Sequence, residues 1–189
     1  IPTLKNTGAW QTIVAYISRN KEFHLVLDPM QGTAVRYIEA IFEKLRQDVG
    51  RNFYSIIHTD NRDPQFSQVN GAPNPTLPAS TQDLAREIAK DSSNNTLGLA
   101  VDGDADRFGT IDFGGKALTA NDMIALLAFF LNKEIGLSGE IGKTVATTNF
   151  VNAAAEHLGL SVIETAVGFK WFVEQTIDQG RNFLVAGEE

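Results

Sequence analysis

Residues 98–109 read Gly-Leu-Ala-Val-Asp-Gly-Asp-Ala-Asp-Arg-Phe-Gly. The apolar residues at the start of this segment predict a buried β-strand. Three aspartates follow at alternate positions, Asp102, Asp104 and Asp106, and Arg107 comes directly after them. Because ligands of α/β sheets bind at the carboxyl ends of strands, this acidic segment is the first candidate for a functional site.

The chemistry of the acidic segment indicates a metal ion. Three carboxylates so close together repel one another unless a cation lies among them. Their ligand atoms are hard oxygens, with no Cys or His nearby in the sequence, so Mg²⁺ is favoured over zinc or copper. The planar guanidinium of Arg107 offers donors suited to phosphate oxygens that the metal also contacts. A divalent metal beside an arginine indicates phosphoryl chemistry.

The acidic segment also shares features with other motifs. An EF-hand loop also begins Asp-x-Asp-x-Asp, but it requires Gly and Glu where this chain has Arg107 and Phe113, so it is excluded. A phosphatase with Asp102 as its nucleophile also starts with Asp-x-Asp after a strand, although small hydroxyl residues are expected next in such enzymes. That phosphatase and a plain solvated acidic turn stay open as alternatives.

Composition limits the class of protein. The 189 residues are enough for one large or two small domains with a core. With 16 Lys and Arg against 23 Asp and Glu the net charge is −7, so neither nucleic acid nor an anionic membrane is expected as a partner. The absence of cysteine excludes disulfides and thiol catalysis and fits a cytoplasmic protein. The longest apolar run, residues 123–131, is too short to span a bilayer, and no signal peptide is expected.

The order of the predicted elements indicates the fold. Residues 1–115 follow a β-α-β-α-β order, and the pattern restarts over residues 116–189. We therefore expect two consecutive α/β domains, each a mixed, mostly parallel sheet flanked by helices. Ser80 and Thr119 each precede an aspartate by three residues and predict helix N-caps. The predicted helices cover residues 8–20, 35–50, 80–91, 123–135, 150–158 and 169–177, and the strands 23–27, 53–57, 97–101, 109–113, 144–147, 161–164 and 183–186.

Two further patterns are set aside. Gly-Lys-Thr at residues 142–144 imitates the end of a phosphate-binding P-loop, but Leu137 stands where the first glycine is required, so that motif is excluded. His24, His58 and His157 are isolated in the sequence. Each is expected to be a surface or packing residue rather than a ligand or base.

Several motifs together resemble the α-D-phosphohexomutases, the family that includes phosphoglucomutases and phosphomannomutases. Asp-Gly-Asp-Ala-Asp-Arg at residues 102–107 resembles the metal-binding loop of the family. Val-Leu-Asp-Pro-Met-Gln-Gly at residues 26–32 is similar to the start of its second domain, and Pro-Asn-Pro at residues 73–75 to a loop in it. Thr-Ala-Val-Gly-Phe-Lys-Trp at residues 165–171 and Gly-Glu-Glu at residues 187–189 are similar to two sugar-facing loops of the third domain.

The resemblance covers nearly the whole chain and implies which domains it contains. Residues 1–115 are expected to be the second domain and residues 116–189 most of the third. Family members also have a first domain with a phosphorylated serine and a fourth with a phosphate-binding loop, and neither motif is found here. We therefore expect the chain to be part of a longer enzyme and to be inactive alone.

The resemblance also implies an activity. Family members transfer phosphate between the 1- and 6-positions of a hexose phosphate, through a phosphoserine and a hexose bisphosphate. Gly-Phe-Lys-Trp at residues 168–171 favours glucose phosphate, while phosphomannomutase, phosphoglucosamine mutase and phosphopentomutase stay open. The implied site residues are Asp102, Asp104 and Asp106 for Mg²⁺, Arg107 for catalysis, and Gly168, Lys170 and Glu188 for the substrate.

Overall fold

The computed structural model describes residues 8–188 of the chain. It divides into two compact units, the first ending at Leu118 and the second beginning at Thr119. The sequence pattern placed this boundary after residue 115. Both units are sheets flanked by helices, which confirms the predicted fold class. Glu189, the last residue of the predicted Gly-Glu-Glu loop, lies outside the described residues.

The first unit contains a mixed sheet. Among residues 8–118, five strands form this sheet in the order β2-β1-β3-β4-β5. Strand β1 pairs in parallel with β2 and β3, whereas β4 and β5 join antiparallel. The carboxyl ends of the three parallel strands therefore lie at one edge. The elements are α1 (Ala9–Arg19), β1 (His24–Asp28), α2 (Val35–Val49), β2 (Tyr54–Ile56), a 3₁₀ turn (Ser67–Val69), α3 (Gln82–Ala89), β3 (Thr96–Val101), β4 (Phe108–Ile111) and β5 (Ala117–Leu118).

The core of the first unit lies under the strand that precedes the acidic segment. Leu84 and Ile88 of α3 are fully buried in one apolar cluster with Val26 of β1 and Ala100 of β3. Burying side chains of this size stabilises by roughly 1.5–3 kcal/mol each. The end of β3 is therefore fixed by this packing as well as by its backbone hydrogen bonds to β1 and β4.

The second unit contains a parallel sheet. Among the described residues from 119 onwards, three strands pair in the order β7-β6-β8, all parallel. Ile141 of β6 packs with Ile124 and with Val151 in the core. The elements are α4 (Ala120–Phe129), a π-helical turn (Phe130–Glu134), β6 (Glu140–Thr144), α5 (Phe150–Leu158), β7 (Val162–Thr165), α6 (Lys170–Gln179) and β8 (Phe183–Gly187).

One predicted strand was misplaced. The sequence indicated residues 144–147, but β6 spans Glu140–Thr144. The glycines at positions 136, 139 and 142 had indicated a break in the chain before the strand. Gly142 is required there because an added Cβ would lie 2.7 Å from the Cβ of Ala186 on the neighbouring strand. The side chain of Lys143 is buried because its ammonium group has polar partners, which hydrophobic periodicity does not reveal.

The two predicted helix caps had different outcomes. Thr119 accepts a hydrogen bond from the backbone N–H of Asp122, and the Asp122 carboxylate accepts one in return, which confirms that cap. The prediction for Ser80 was wrong, because its hydroxyl donates to the carbonyl of Ala72 and Thr81 is the N-cap residue.

The helix expected over residues 123–135 is α-helical only to Phe129 and continues as the π-helical turn. Within residues 8–188, none of the helices has both the length and the apolarity to cross a membrane.

Candidate functional site

The acidic loop, residues 102–107, begins where β3 ends. Asp102 is fully buried at its first position. Its Oδ1 accepts hydrogen bonds from the backbone N–H groups of Asp106 at 3.0 Å and Arg107 at 3.1 Å. Its Oδ2 accepts one from Nε of Arg107 at 2.8 Å. The buried carboxylate thus organises the loop from within, because it satisfies backbone donors that would otherwise be unpaired.

The other two aspartates of the acidic loop face solvent. Asp104 and Asp106 are exposed, and one carboxylate oxygen from each of the three aspartates lies within 4.8 Å of the others. The negative charge of Asp104 raises the pKa of Asp106. Burial alone would raise the pKa of Asp102, but its hydrogen bonds from Arg107 outweigh burial and hold that pKa below the usual value.

This arrangement fits a hard divalent cation. Bonds of about 2.1 Å place neighbouring oxygen ligands of an octahedral Mg²⁺ about 3.0 Å apart and opposite ligands about 4.2 Å apart. The three aspartate oxygens lie within 4.8 Å of one another, so movement of the exposed Asp104 and Asp106 side chains would bring them into such a shell. A cation there would also relieve the repulsion between Asp104 and Asp106. The donors are all oxygen, which suits Mg²⁺ better than a transition metal.

Arg107 links the acidic loop to solvent. Its Nε donates to Asp102 and lies 3.5 Å from a carboxylate oxygen of Asp106, and 57% of its side chain is exposed. The ion pair with Asp102 raises the pKa of the guanidinium. The remaining N–H groups of a guanidinium held this way can bind the oxygens of an anion, since its fork of donors matches phosphate.

A second polar cluster lies at the same sheet edge and was missed by the sequence. Nδ1 of His58 lies 3.0 Å from Oδ2 of Asp28, and its Nε2 lies 3.4 Å from Asp83. Asp28 is fully buried at the end of β1, as Asp102 is at the end of β3. An aspartate at the end of a predicted strand, as at Asp102, was the sequence feature that could have indicated this cluster. His58 was expected to be a surface or packing residue because no partner lies near it in the sequence; both partners are distant in the chain.

In the second unit the predicted substrate residues lie on the loops after β7 and β8 and at the start of α6. The backbone N–H of Gly168 donates to Oε2 of Glu188 at 2.8 Å, so the loops after β7 and β8 meet. Gly168 has a φ of 118°, a conformation that favours glycine. Lys170 is the first residue of α6, and its ammonium lies 4.7 Å from the ring centroid of Trp171, a cation–π contact.

Lys143 is a further charged group that the sequence analysis did not propose for the site. Its Nζ lies 2.8 Å from a carboxylate oxygen of Glu164 and donates to the carbonyl of Thr147. Its side chain is only 1% exposed. The ammonium is therefore a buried, paired charge at the carboxyl end of β6, where the pattern of Gly-Lys-Thr had suggested only a false P-loop.

Comparison with known proteins places both units. Residues 7–115 match the family described as phosphoglucomutase/phosphomannomutase, alpha/beta/alpha domain II, and residues 119–189 match alpha/beta/alpha domain III of the same family. A phosphoglucosamine mutase from Moorella thermoacetica is 30% identical over 166 residues, which are 87% of this chain and 34% of that protein. Phosphoglucomutase 1 of Drosophila melanogaster is 29% identical over 176 residues, 89% of this chain and 29% of that protein.

A solved structure agrees on the fold. The open form of pp63/parafusin, a phosphoglucomutase from Paramecium, superimposes with a TM-score of 0.78 at 24% identity and covers 100% of this chain and 32% of that one. The chain therefore spans about a third of the length of the proteins it matches.

Proposed function

Because the chain belongs to the phosphoglucomutase/phosphomannomutase family, we propose that it supplies the metal-binding and sugar-binding domains of a phosphosugar mutase. The reaction moves phosphate between the 1- and 6-positions of a hexose phosphate. The observation that carries this proposal is the acidic loop, in which a buried, hydrogen-bonded Asp102 holds two exposed carboxylates and Arg107 together.

Asp102, Asp104 and Asp106 are the proposed ligands of Mg²⁺. The ion would offset negative charge on phosphate oxygens as a phosphoryl group is transferred. The three aspartates differ in what they contribute. Asp102 fixes the loop through its hydrogen bonds, whereas Asp104 and Asp106 present carboxylates to solvent, where a phosphorylated group can approach.

Arg107 is the proposed catalytic residue. Its contact with Asp102 orients the guanidinium, and its exposed portion is free to bind oxygens of the phosphoryl group. In the transfer, a sugar hydroxyl oxygen forms a bond to phosphorus as the bond to the serine oxygen of another domain breaks, and the hydroxyl proton is released. The hexose bisphosphate then turns around and returns its other phosphate to the serine.

Glu188, Gly168 and Lys170 are the proposed substrate contacts. The hydrogen bond from Gly168 occupies Oε2 of Glu188, which leaves its other oxygen for sugar hydroxyls. Lys170 carries a positive charge in the first turn of α6, where the helix dipole disfavours it. A substrate phosphate bound there would offset that cost.

The preferred sugar is proposed from the loop around Lys170. Gly-Phe-Lys-Trp resembles the glucose-type loop, so glucose phosphate is the first substrate to test. Glucosamine phosphate is the second, since several of the matched relatives are described as phosphoglucosamine mutases.

A phosphatase mechanism with Asp102 as nucleophile is disfavoured by the geometry. Both carboxylate oxygens of Asp102 accept hydrogen bonds, and the side chain is fully buried. A nucleophile must admit a whole phosphoryl group in line with its leaving group, whereas a metal ion needs only one free lone pair, and Oδ2 of Asp102 accepts a single hydrogen bond. Asp104 and Asp106, not Asp102, are the exposed aspartates of the loop.

Metal binding is tested first, on the chain itself. Titration with Mn²⁺, with free ion measured by electron paramagnetic resonance, should reveal one site. Asp104→Asn should weaken binding at least about 10-fold, because it removes one charged ligand. Asp178→Asn is the matched control, since it makes the same change on an exposed position of α6 and should leave binding unchanged. Equal affinity in the wild type and Asp104→Asn would contradict the proposed site.

Turnover is tested on the full-length gene product. Phosphorus NMR with glucose 1-phosphate and glucosamine 1-phosphate, Mg²⁺ and a trace of hexose bisphosphate should show conversion to the 6-phosphate. The ratio of the two rates identifies the sugar. Release of inorganic phosphate as the main product would instead indicate the phosphatase.

A further inference from the structure

The acidic loop is contacted from outside by a turn that follows β1. Gly32 in this turn lies against Gly103, the residue between the first two aspartates of the loop. A Cβ added to Gly32 would lie 2.6 Å from the carbonyl oxygen of Gly103 and 2.8 Å from its Cα. Both atoms are backbone, so no rotation of a side chain could relieve the overlap. The close approach requires glycine at position 32.

Hydrogen bonds join the same two segments. The backbone N–H of Thr33 donates to the carbonyl oxygen of Gly103 at 2.9 Å. The Thr33 hydroxyl donates to the same oxygen at 3.3 Å. This carbonyl is therefore fixed by two donors from one residue, at a point in the loop that separates Asp102 from Asp104.

A further segment lies close to Gly103. A Cβ built on Gly103 would lie 3.1 Å from Cγ of Pro73 and 3.7 Å from Cζ of Phe66. Gly103 therefore has the turn after β1 and the loop that contains Pro73 as neighbours.

The turn itself is in an unusual conformation. Met30 and Gln31 have φ values of 47° and 58°, which non-glycine residues rarely adopt. The Asp28 carboxylate accepts from the backbone N–H of Met30 at 2.8 Å. The buried amide of Gln31 donates to the carbonyl of Asp60 and accepts from the backbone N–H of Gln68. These contacts hold the backbone of Met30 and Gln31 in its unusual conformation. That conformation places Gly32 and Thr33 against the acidic loop.

We propose that Gly32 and Thr33 are positioning residues for the metal site of the acidic loop. They act through Gly103, whose placement sets the separation of the Asp102 and Asp104 carboxylates. This inference rests on the proposed function, since it assumes that those carboxylates bind a metal. It adds two residues that offer no ligand atom of their own to the ion but determine whether the ligands are correctly spaced.

The decisive experiment compares Gly32→Ala with Gly142→Ala. Both add one methyl group where it overlaps a neighbouring atom, but Gly142 lies on β6 of the second unit, where its Cβ would meet the Cβ of Ala186 at 2.7 Å. Mn²⁺ affinity, measured by electron paramagnetic resonance, should fall about 10-fold or more in Gly32→Ala. Gly142→Ala should lower the melting temperature of the second unit without changing that affinity. Equal Mn²⁺ affinity in wild type and Gly32→Ala would overturn the positioning role.

A milder pair of variants covers the case in which Gly32→Ala does not fold. Thr33 is exposed, so a substitution there does not disturb the core. Thr33→Val removes the hydroxyl donor and should weaken Mn²⁺ binding about threefold, whereas Thr33→Ser keeps the donor and should restore affinity. Equal weakening by both Thr33 variants would overturn the role of the hydroxyl. Absence of Mn²⁺ binding in the wild type would overturn the proposed metal site and this inference with it, which distinguishes that failure from a failure of the positioning role alone.

Discussion

The acidic loop of the first unit and the loops after β7 and β8 of the second unit both follow parallel strands, but their contacts differ. The acidic loop has a buried carboxylate that accepts three hydrogen bonds, and its Gly103 is contacted by Gly32 and Thr33. The loops after β7 and β8 meet through the hydrogen bond between Gly168 and Glu188. The loop in which groups of like charge lie close together is thus the one that is organised around a buried carboxylate.

The physical reason lies in the two kinds of ligand. Three carboxylates held together repel one another, so the surrounding structure must oppose that repulsion. Mg²⁺ also demands near-ideal geometry, with bonds of about 2.0–2.1 Å. A sugar, the ligand proposed for the loops after β7 and β8, is bound through several hydroxyls, each with a broad range of acceptable distances, so such loops need less restraint.

The largest expected effect concerns Asp102. Asp102→Asn should lower the free energy of unfolding of the first unit by about 2 kcal/mol, because the new amide places a donor where backbone N–H groups donate. Asp104→Asn should change it by less than about 0.5 kcal/mol, since Asp104 is exposed. Urea denaturation followed by Trp10 fluorescence, in a Trp171→Phe background, measures the first unit alone. Equal losses in the two variants would show that the loop is not organised from within.

A smaller effect is expected in the second unit. Glu188→Ala should lower the free energy of unfolding of that unit by about 1 kcal/mol and speed hydrogen exchange at the amide of Gly168. Glu188→Gln retains an acceptor oxygen and should lie between Glu188→Ala and the wild type. NMR detection of amide exchange gives both readings. Unchanged exchange at Gly168 in Glu188→Ala would mean that the loops are held by other contacts.

The smallest effect is a pH dependence from His58. The hydrogen bond to Asp28 raises the pKa of His58, partial burial opposes it, and Asp83 adds to the rise. The folded first unit therefore favours the protonated histidine. This stabilisation is fully present below the ordinary histidine pKa of about 6.5 and is lost as pH rises through the raised value.

The measurement for His58 is a difference between two proteins. The free energy of unfolding of the first unit is determined from about pH 5.5 to about pH 8.5 for the wild type and for His58→Asn. The wild type should lose stability relative to the variant as pH rises. His24, whose pKa is lowered chiefly by burial, contributes equally to both proteins and cancels. Parallel curves would mean that the pair with Asp28 does not form in solution.

Patterns within short segments of the sequence predicted the two α/β units, one helix cap and the aspartate cluster. The alternation of strands and helices was sufficient for both α/β units, and the capping box at Thr119 was readable because its partners are three residues apart. The grouping of Asp102, Asp104 and Asp106 was also readable, since close spacing in sequence forces proximity.

Contacts between distant segments could not be predicted. The approach of Gly32 to Gly103 depends on how β1 pairs with β3, and the partners of His58 come from two other elements. The burial of Lys143 could not be predicted either, because its partner Glu164 lies on another strand, β7. A pattern of hydrophobicity does not encode which polar groups will pair in the folded chain.

The acidic loop connects two antiparallel neighbours, since Val101 of β3 pairs with Phe108 of β4. It is thus the connection of a hairpin and not of a crossover. A hairpin of this kind closes a short loop, which takes about 1–10 μs, whereas β1 and β3 must first bring distant parts of the chain together. We therefore expect the three aspartates to come together early in folding, and the turn at Gly32 to reach them only when β1 pairs with β3.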